Sequence, residues 1–91
     1  MPTFEWDEDN LDHLAQHRIT PFEVQEVFDG HIMRKRGRTD RNDRVQILGR
    51  TAGGRYLLII VEEKANDVIR PFTGWEMAPH ERQLYGRQIK D

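Results

Sequence analysis

Apolar residues recur along this chain with two different spacings, and the change between them falls near Ile32. Before it, Leu11, Leu14 and Ala15, and then Val24, Val27 and Phe28, stand three and four apart. That spacing predicts two short helices, each with one buried stripe. After it come compact runs of aliphatic and aromatic residues bounded by Gly, Asn and Asp, which predict strands.

The local signals sharpen this division. "TFEW" (Thr3–Trp6) reads as a short strand, and Asp7 is suited to cap the helix that follows, with acids in its first turn where the dipole favours them. In "ITPFEVQEVFDG", Thr20 caps, Pro21 takes the first helical position, Glu23 completes a capping box and Gly30 stops the helix. Ile19 and Val24 have the spacing of a hydrophobic staple across that cap. "HIMRKRGR" predicts a strand running into the basic loop "GRTDRND". "RVQILGRT" and "RYLLIIVEEK" predict a hairpin through "AGG", with Gly53 and Gly54 free to take positive φ. The unbroken run Leu57 to Val61 predicts a central strand covered at least in part on both faces. "ANDV" is a second turn and "VIRPFT" the last strand, at an edge or bulged because Pro71 donates no ladder hydrogen bond. A closing helix is expected from Pro79 to about Ile89. The expected fold is α+β: a small antiparallel sheet of four to five strands, with two N-terminal helices and one C-terminal helix packed on it.

Length and composition narrow the class. The 91 residues suit one domain spanning 1–91, and 36% hydrophobic with 33% charged residues fits a folded globular chain. Cysteine is absent, so disulfides and thiolate metal sites are excluded, and no apolar run reaches membrane-spanning length. A cytoplasmic protein with no membrane partner is expected. The net charge of −2 conceals an asymmetry: positions 34–55 carry eight Lys or Arg against Asp40 and Asp43, whereas positions 1–33 carry eight acids against Arg18. A basic middle segment predicts either an anionic partner or a solvated hairpin that happens to be basic.

The candidate chemistry is restricted. His13 and His17 stand four apart, as paired metal ligands do, but no glutamate lies between them in the zincin manner and no metal or cofactor is expected. Serine is absent as well as cysteine, which excludes nucleophilic triads built on either. "GRTAGGR" is explained as hairpin geometry rather than a phosphate loop, since no helix follows it. What remains is phosphate chemistry without a metal. RNA is cleaved by its own 2′-hydroxyl once cations hold the phosphate and side chains carry the protons. Arg55 and Arg70 are candidate clamps, because a guanidinium fork matches phosphate oxygens. His17, His80, Glu81 and Tyr85 are candidate proton carriers. Arg34, Lys35, Arg36, Arg38, Arg41 and Arg44 are candidate RNA contacts.

The order of "FEWDEDNLDHLAQHRITPFEVQEVF", "LGRTAGGRYLLIIVEE" and "IRPFTGWEMAPHERQLY" resembles the BrnT family, RelE-like toxins of bacterial type II toxin–antitoxin pairs. The resemblance runs from Phe4 to Tyr85 and is carried by Trp6-Asp7, His17, Gly54-Arg55, Arg70 and Glu81-Arg82…Tyr85. It implies a RelE-like sheet with helices packed on it and metal-independent endoribonuclease activity. It also implies a small DNA-binding antitoxin, of ribbon-helix-helix type, that covers the active surface, and it leaves a homo-oligomer open. Arg70 matches the arginine opening the family's last strand, His17 the histidine closing its first helix, and Glu81 and Tyr85 its last helix. The chain departs from the family at Arg18, where glycine is usual, at Pro71, where an aliphatic residue is usual, and at Thr73-Gly74-Trp75, where Ser/Thr-Ala-Arg is common. Trp75 cannot neutralise a phosphate; it either stacks on an unpaired base or packs the last helix on the sheet.

Overall fold

The computed structural model describes residues 2–36 and 44–88. The element order is β1 (Thr3–Phe4), α1 (Glu8–Gln16), α2 (Pro21–Asp29), β2 (Met33–Arg36), β3 (Arg44–Arg50), β4 (Tyr56–Lys64), β5 (Val68–Glu76) and α3 (Pro79–Gln88). The fold is α+β, with the strands ordered β1-β5-β4-β3-β2 in one sheet. β2 to β5 pair antiparallel, while β1 runs parallel to β5, so the sheet is mixed rather than wholly antiparallel. No hairpin joins β1 to β5, and turn geometry therefore does not impose an antiparallel sense on that pair.

The helix ends follow from local chemistry. Asp7 and Asn10 form a capping box at α1, and Thr20 and Glu23 form another at α2. α1 closes in a Schellman motif: the Arg18 amide donates to the Ala15 carbonyl and the Ile19 amide to the Leu14 carbonyl, both at 2.9 Å. Ile19 and Leu14 meet in the core beneath that motif, and Ile19 with Val24 provides the staple of α2. Gly30 does end α2, but in an extended conformation rather than a left-handed one. In the hairpin after β3 only Gly54 takes a positive φ, 94°. Asn66 and Asp67 both do so in the turn after β4, a conformation that Asn and Asp adopt more readily than other non-glycine residues.

β4 is the central strand and is covered on both faces. Leu57, Ile59 and Val61 join Val45, Ile47, Leu14, Val24 and Val27 under α1 and α2. Leu58 and Ile60 join Leu48, Met77 and Tyr85 under α3. The stripe expected on α1 differs. Leu11 and Ala15 are exposed, and a fully buried Asn10 sits one turn before Leu14. Its Nδ2 donates to the Glu5 carbonyl at 2.9 Å and the Pro71 carbonyl at 2.8 Å, so a polar side chain stitches α1 to the sheet with its desolvation offset by hydrogen bonds. Pro71 lies at a bulge: Val61 faces Pro71 and Ile60 faces Thr73, leaving Phe72 as the extra residue. Past the bulge β5 continues to Glu76 instead of ending at Thr73. Gly74 is needed there, because a Cβ would stand 2.8 Å from the Leu58 carbonyl oxygen and 2.8 Å from Ile59 Cδ1.

Candidate functional site

Strand alternation sends Gln46, Leu48 and Arg50 to the face that α3 covers, together with Tyr56, Leu58 and Ile60. Arg50 and Tyr56 are register partners at the hairpin end of β3 and β4. From α3, Arg82 and Tyr85, three apart and so on one side of the helix, meet the same end of the sheet. α2 presents Phe22, Glu26 and Asp29, spaced four and three, from the other side. These residues, with His31, Thr51 and Gly86, line an open groove of about 870 Å³ around the hairpin end.

The electrostatics of the groove centre on Tyr56. The Arg82 guanidinium lies 4.3 Å from the centre of its ring and the Arg50 guanidinium 5.8 Å. The Arg50 guanidinium beside the hydroxyl lowers the Tyr56 pKa below the ordinary tyrosine value; partial burial opposes this and Arg82 adds to it. Tyr85, its ring 6.1 Å away and edge-on, behaves oppositely. Burial raises its pKa, and its hydroxyl donates to the His31 carbonyl at 2.7 Å. Among the described residues neither Arg50 nor Arg82 has a carboxylate partner, and neither Glu26 nor Asp29 has a basic one. The groove therefore has a cationic wall and an anionic wall that do not neutralise each other.

The two arginines expected as a clamp are elsewhere and engaged. Arg70, its side chain 15% exposed, donates through Nε and Nη2 to both oxygens of Asp7 at 2.9 and 3.2 Å, and through Nη1 to Glu62 at 3.1 Å. Arg55 bonds both carboxylate oxygens of Glu23 at 2.9 Å, Glu76 at 3.2 Å and the Arg18 carbonyl at 2.8 Å. Arg70 lies opposite Glu62, while Arg55 immediately precedes Tyr56, so they flank opposite ends of β4, roughly 20 Å apart at strand rise. They do not converge on one phosphate.

The other expected residues also separate. Glu81 accepts from the Ala78 amide at 2.8 Å and so caps α3. His17 closes α1, with its ring 6.3 Å from that of Trp75. Trp75 is 37% exposed and sits opposite Leu58 in β5, with the C-terminal end of α1 beside it through His17. Of the expected catalytic set only Tyr85 lines the groove. Arg34 is held by Glu63, and Arg44 pairs with Glu62 at 3.1 Å while lying 4.1 Å from the centre of the Phe72 ring. Lys35 and Arg36 are exposed on β2, and Arg38 and Arg41 lie outside the described residues. His13, whose Nδ1 is buried without a partner, packs edge-on against Phe72 at 5.2 Å. Among the described residues no three His, Asp or Glu side chains converge as a metal site would require. No described helix is long and apolar enough to cross a membrane.

No protein-family model matches the chain, and no curated protein sequence matches it. The groove's own geometry is therefore what bears on function. Arg50, Tyr56, Phe22 and Glu26 were not singled out by motif, and Arg82 entered only within the Glu81-Arg82…Tyr85 ending, with no role of its own. The signals existed in weaker form: period-two alternation aligns Arg50 with Tyr56, and helical spacing aligns Arg82 with Tyr85. Which of fourteen basic residues lacked an acid partner was not encoded in either pattern.

Proposed function

We propose that this protein is a metal-independent endoribonuclease, of the toxin class its sequence resembles, and that the Arg50–Tyr56–Arg82 groove holds the scissile phosphate. The observation that carries this reading is the convergence of two guanidinium groups, free of carboxylates among the described residues, on one phenol in an open groove. Arg50 and Arg82 bind the non-bridging phosphate oxygens and stabilise the charge that builds on them as the 2′-oxygen attacks. The 2′-oxygen to phosphorus bond forms, the bond to the 5′-oxygen breaks, and a 2′,3′-cyclic phosphate and a free 5′-hydroxyl result. Protons leave the 2′-hydroxyl and reach the 5′-oxygen through the carriers lining the groove, Tyr56 and His31. A small DNA-binding antitoxin laid over the groove is the partner this reading implies.

The engaged state of Arg55 and Arg70, with Trp75 where the family commonly has arginine, favours a second reading in which the same groove binds RNA without cutting it. Incubating the purified chain with single-stranded RNA in excess chelator separates the two. Cleavage to cyclic-phosphate ends is expected, with Arg82→Ala slowing it roughly a hundredfold at unchanged melting temperature. Intact RNA bound in a steeply salt-dependent manner would leave only the second reading. Cleavage at full rate in both Arg82→Ala and Arg50→Ala would overturn the site.

A further inference from the structure

The opposite wall of the groove has a chemistry that phosphate binding does not use. Phe22, Glu26 and Asp29 form a stripe along the outer side of α2, and all three line the groove. Phe22 is 69% exposed, the largest exposure among the large apolar side chains described as exposed. Its neighbours in sequence explain none of this: Pro21 and Glu23 serve the cap, and Val24 and Val27 fill the core. Glu26, one turn on, is half-buried and has no basic partner among the described residues. A carboxylate kept partly from water gains from a ligand that supplies hydrogen-bond donors.

We infer that this wall is a base-recognition subsite, and that it selects guanine in the nucleotide whose phosphate rests on Arg50 and Arg82. The inference rests on the groove reading above and names its substrate preference. A flat exposed ring beside a phosphate site suits an unpaired base, which stacks on it irrespective of sequence. Selection then falls to Glu26. A carboxylate only accepts hydrogen bonds. Guanine is the base that offers two adjacent donors on one edge, N1–H and the N2 amino group, and these match the two carboxylate oxygens. Adenine and cytosine set an acceptor nitrogen beside their amino group, which the carboxylate repels, and uracil's single N3–H is flanked by two carbonyl oxygens. Asp29, exposed one turn further along, adds negative potential at the same edge.

Calorimetric titration of the full chain with guanosine, inosine, adenosine and uridine 3′-monophosphates, and with inorganic phosphate, tests this without requiring cleavage. The guanosine nucleotide should bind at least roughly tenfold more tightly than the adenosine and uridine nucleotides, as charge-assisted hydrogen bonds warrant. Inosine, which lacks the N2 amino group, should fall between them. Glu26→Gln should abolish the preference while leaving phosphate affinity intact. Phe22→Ala should weaken every nucleotide but not phosphate. Equal affinity for the four nucleotides, with phosphate binding that Arg82→Ala weakens, would overturn the guanine subsite and leave the phosphate wall standing. Failure of the wild-type chain to bind any of the five would overturn both. An unchanged preference in Glu26→Gln would overturn the assignment of that residue.

Discussion

Arg18 holds a backbone conformation that an L side chain disfavours, with φ at 58° directly after α1. The Schellman motif demands it, and this is the position where the resembling family has glycine. The departure therefore has an energetic cost at the helix end. Arg18→Gly should raise stability by about 0.5–1 kcal/mol in urea unfolding, because relief of the left-handed strain exceeds glycine's added chain entropy. Its carbonyl would still accept from Arg55. A less stable variant would mean that the Arg18 side chain makes a contact worth more than the strain. The contrast between the two tyrosines belongs to the same scale. One phenol sits between guanidinium groups and the other is buried on a carbonyl, so one sequence letter has two chemistries.

Between elements, the Arg70 cluster acts as a clamp on structure. Asp7 caps α1 through its Oδ1 and receives Arg70 from β5, while Glu62 of β4 receives Arg70 on one side and Arg44 of β3 on the other. One network thus fixes a helix start to three strands just beside the Phe72 bulge. Glu62 is 6% exposed, so removing Arg70 takes a counter-charge away from a buried carboxylate. Arg70→Ala should cost about 2–4 kcal/mol in chemical denaturation, and Arg70→Lys, which keeps charge but loses the fork, should cost less. Loss of the proposed RNA cleavage in Arg70→Ala would then report unfolding, and only a variant of unchanged stability, such as Arg82→Ala, reports on the groove. An Arg70→Ala protein as stable as the parent would refute the clamp.

Across the whole molecule, acidic and basic segments separated along the chain are brought together as ion pairs. Asp7 and Glu63 are held below their ordinary carboxylate pKa values chiefly by Arg70 and Arg34. For Glu23 burial pushes upward, but Arg55 and the Thr20 amide outweigh it and the net shift is downward. Each folded carboxyl therefore binds its proton less readily than the unfolded chain, whose values lie near 4. Their stabilisation is complete above that pH and is lost as pH falls through the lower folded values. Unfolding free energy measured by urea denaturation should stay nearly level from about pH 7 to 5 and decline below about pH 4. The decline should shrink in high salt, which screens the more exposed pairs. A stability independent of pH across this range would show that the pairs contribute nothing.

The sequence by itself determined the elements. Asp7, Thr20, Pro21 and Glu23 mark helix starts because capping is satisfied within four residues, and the Leu57–Val61 run marks a doubly covered strand because burial follows strand alternation. Pro71 announced an irregular strand for the same local reason: it has no amide hydrogen to give. Tertiary structure decided the rest. Arg55 finds Glu23 and Arg70 finds Asp7 at sequence separations of 32 and 63, and no local pattern reports such encounters. Whether an arginine is a phosphate ligand or a structural strut depends on whether the fold places a carboxylate within reach. Among the described residues that choice left Arg50 and Arg82 open to the groove and closed the two that motif order had favoured.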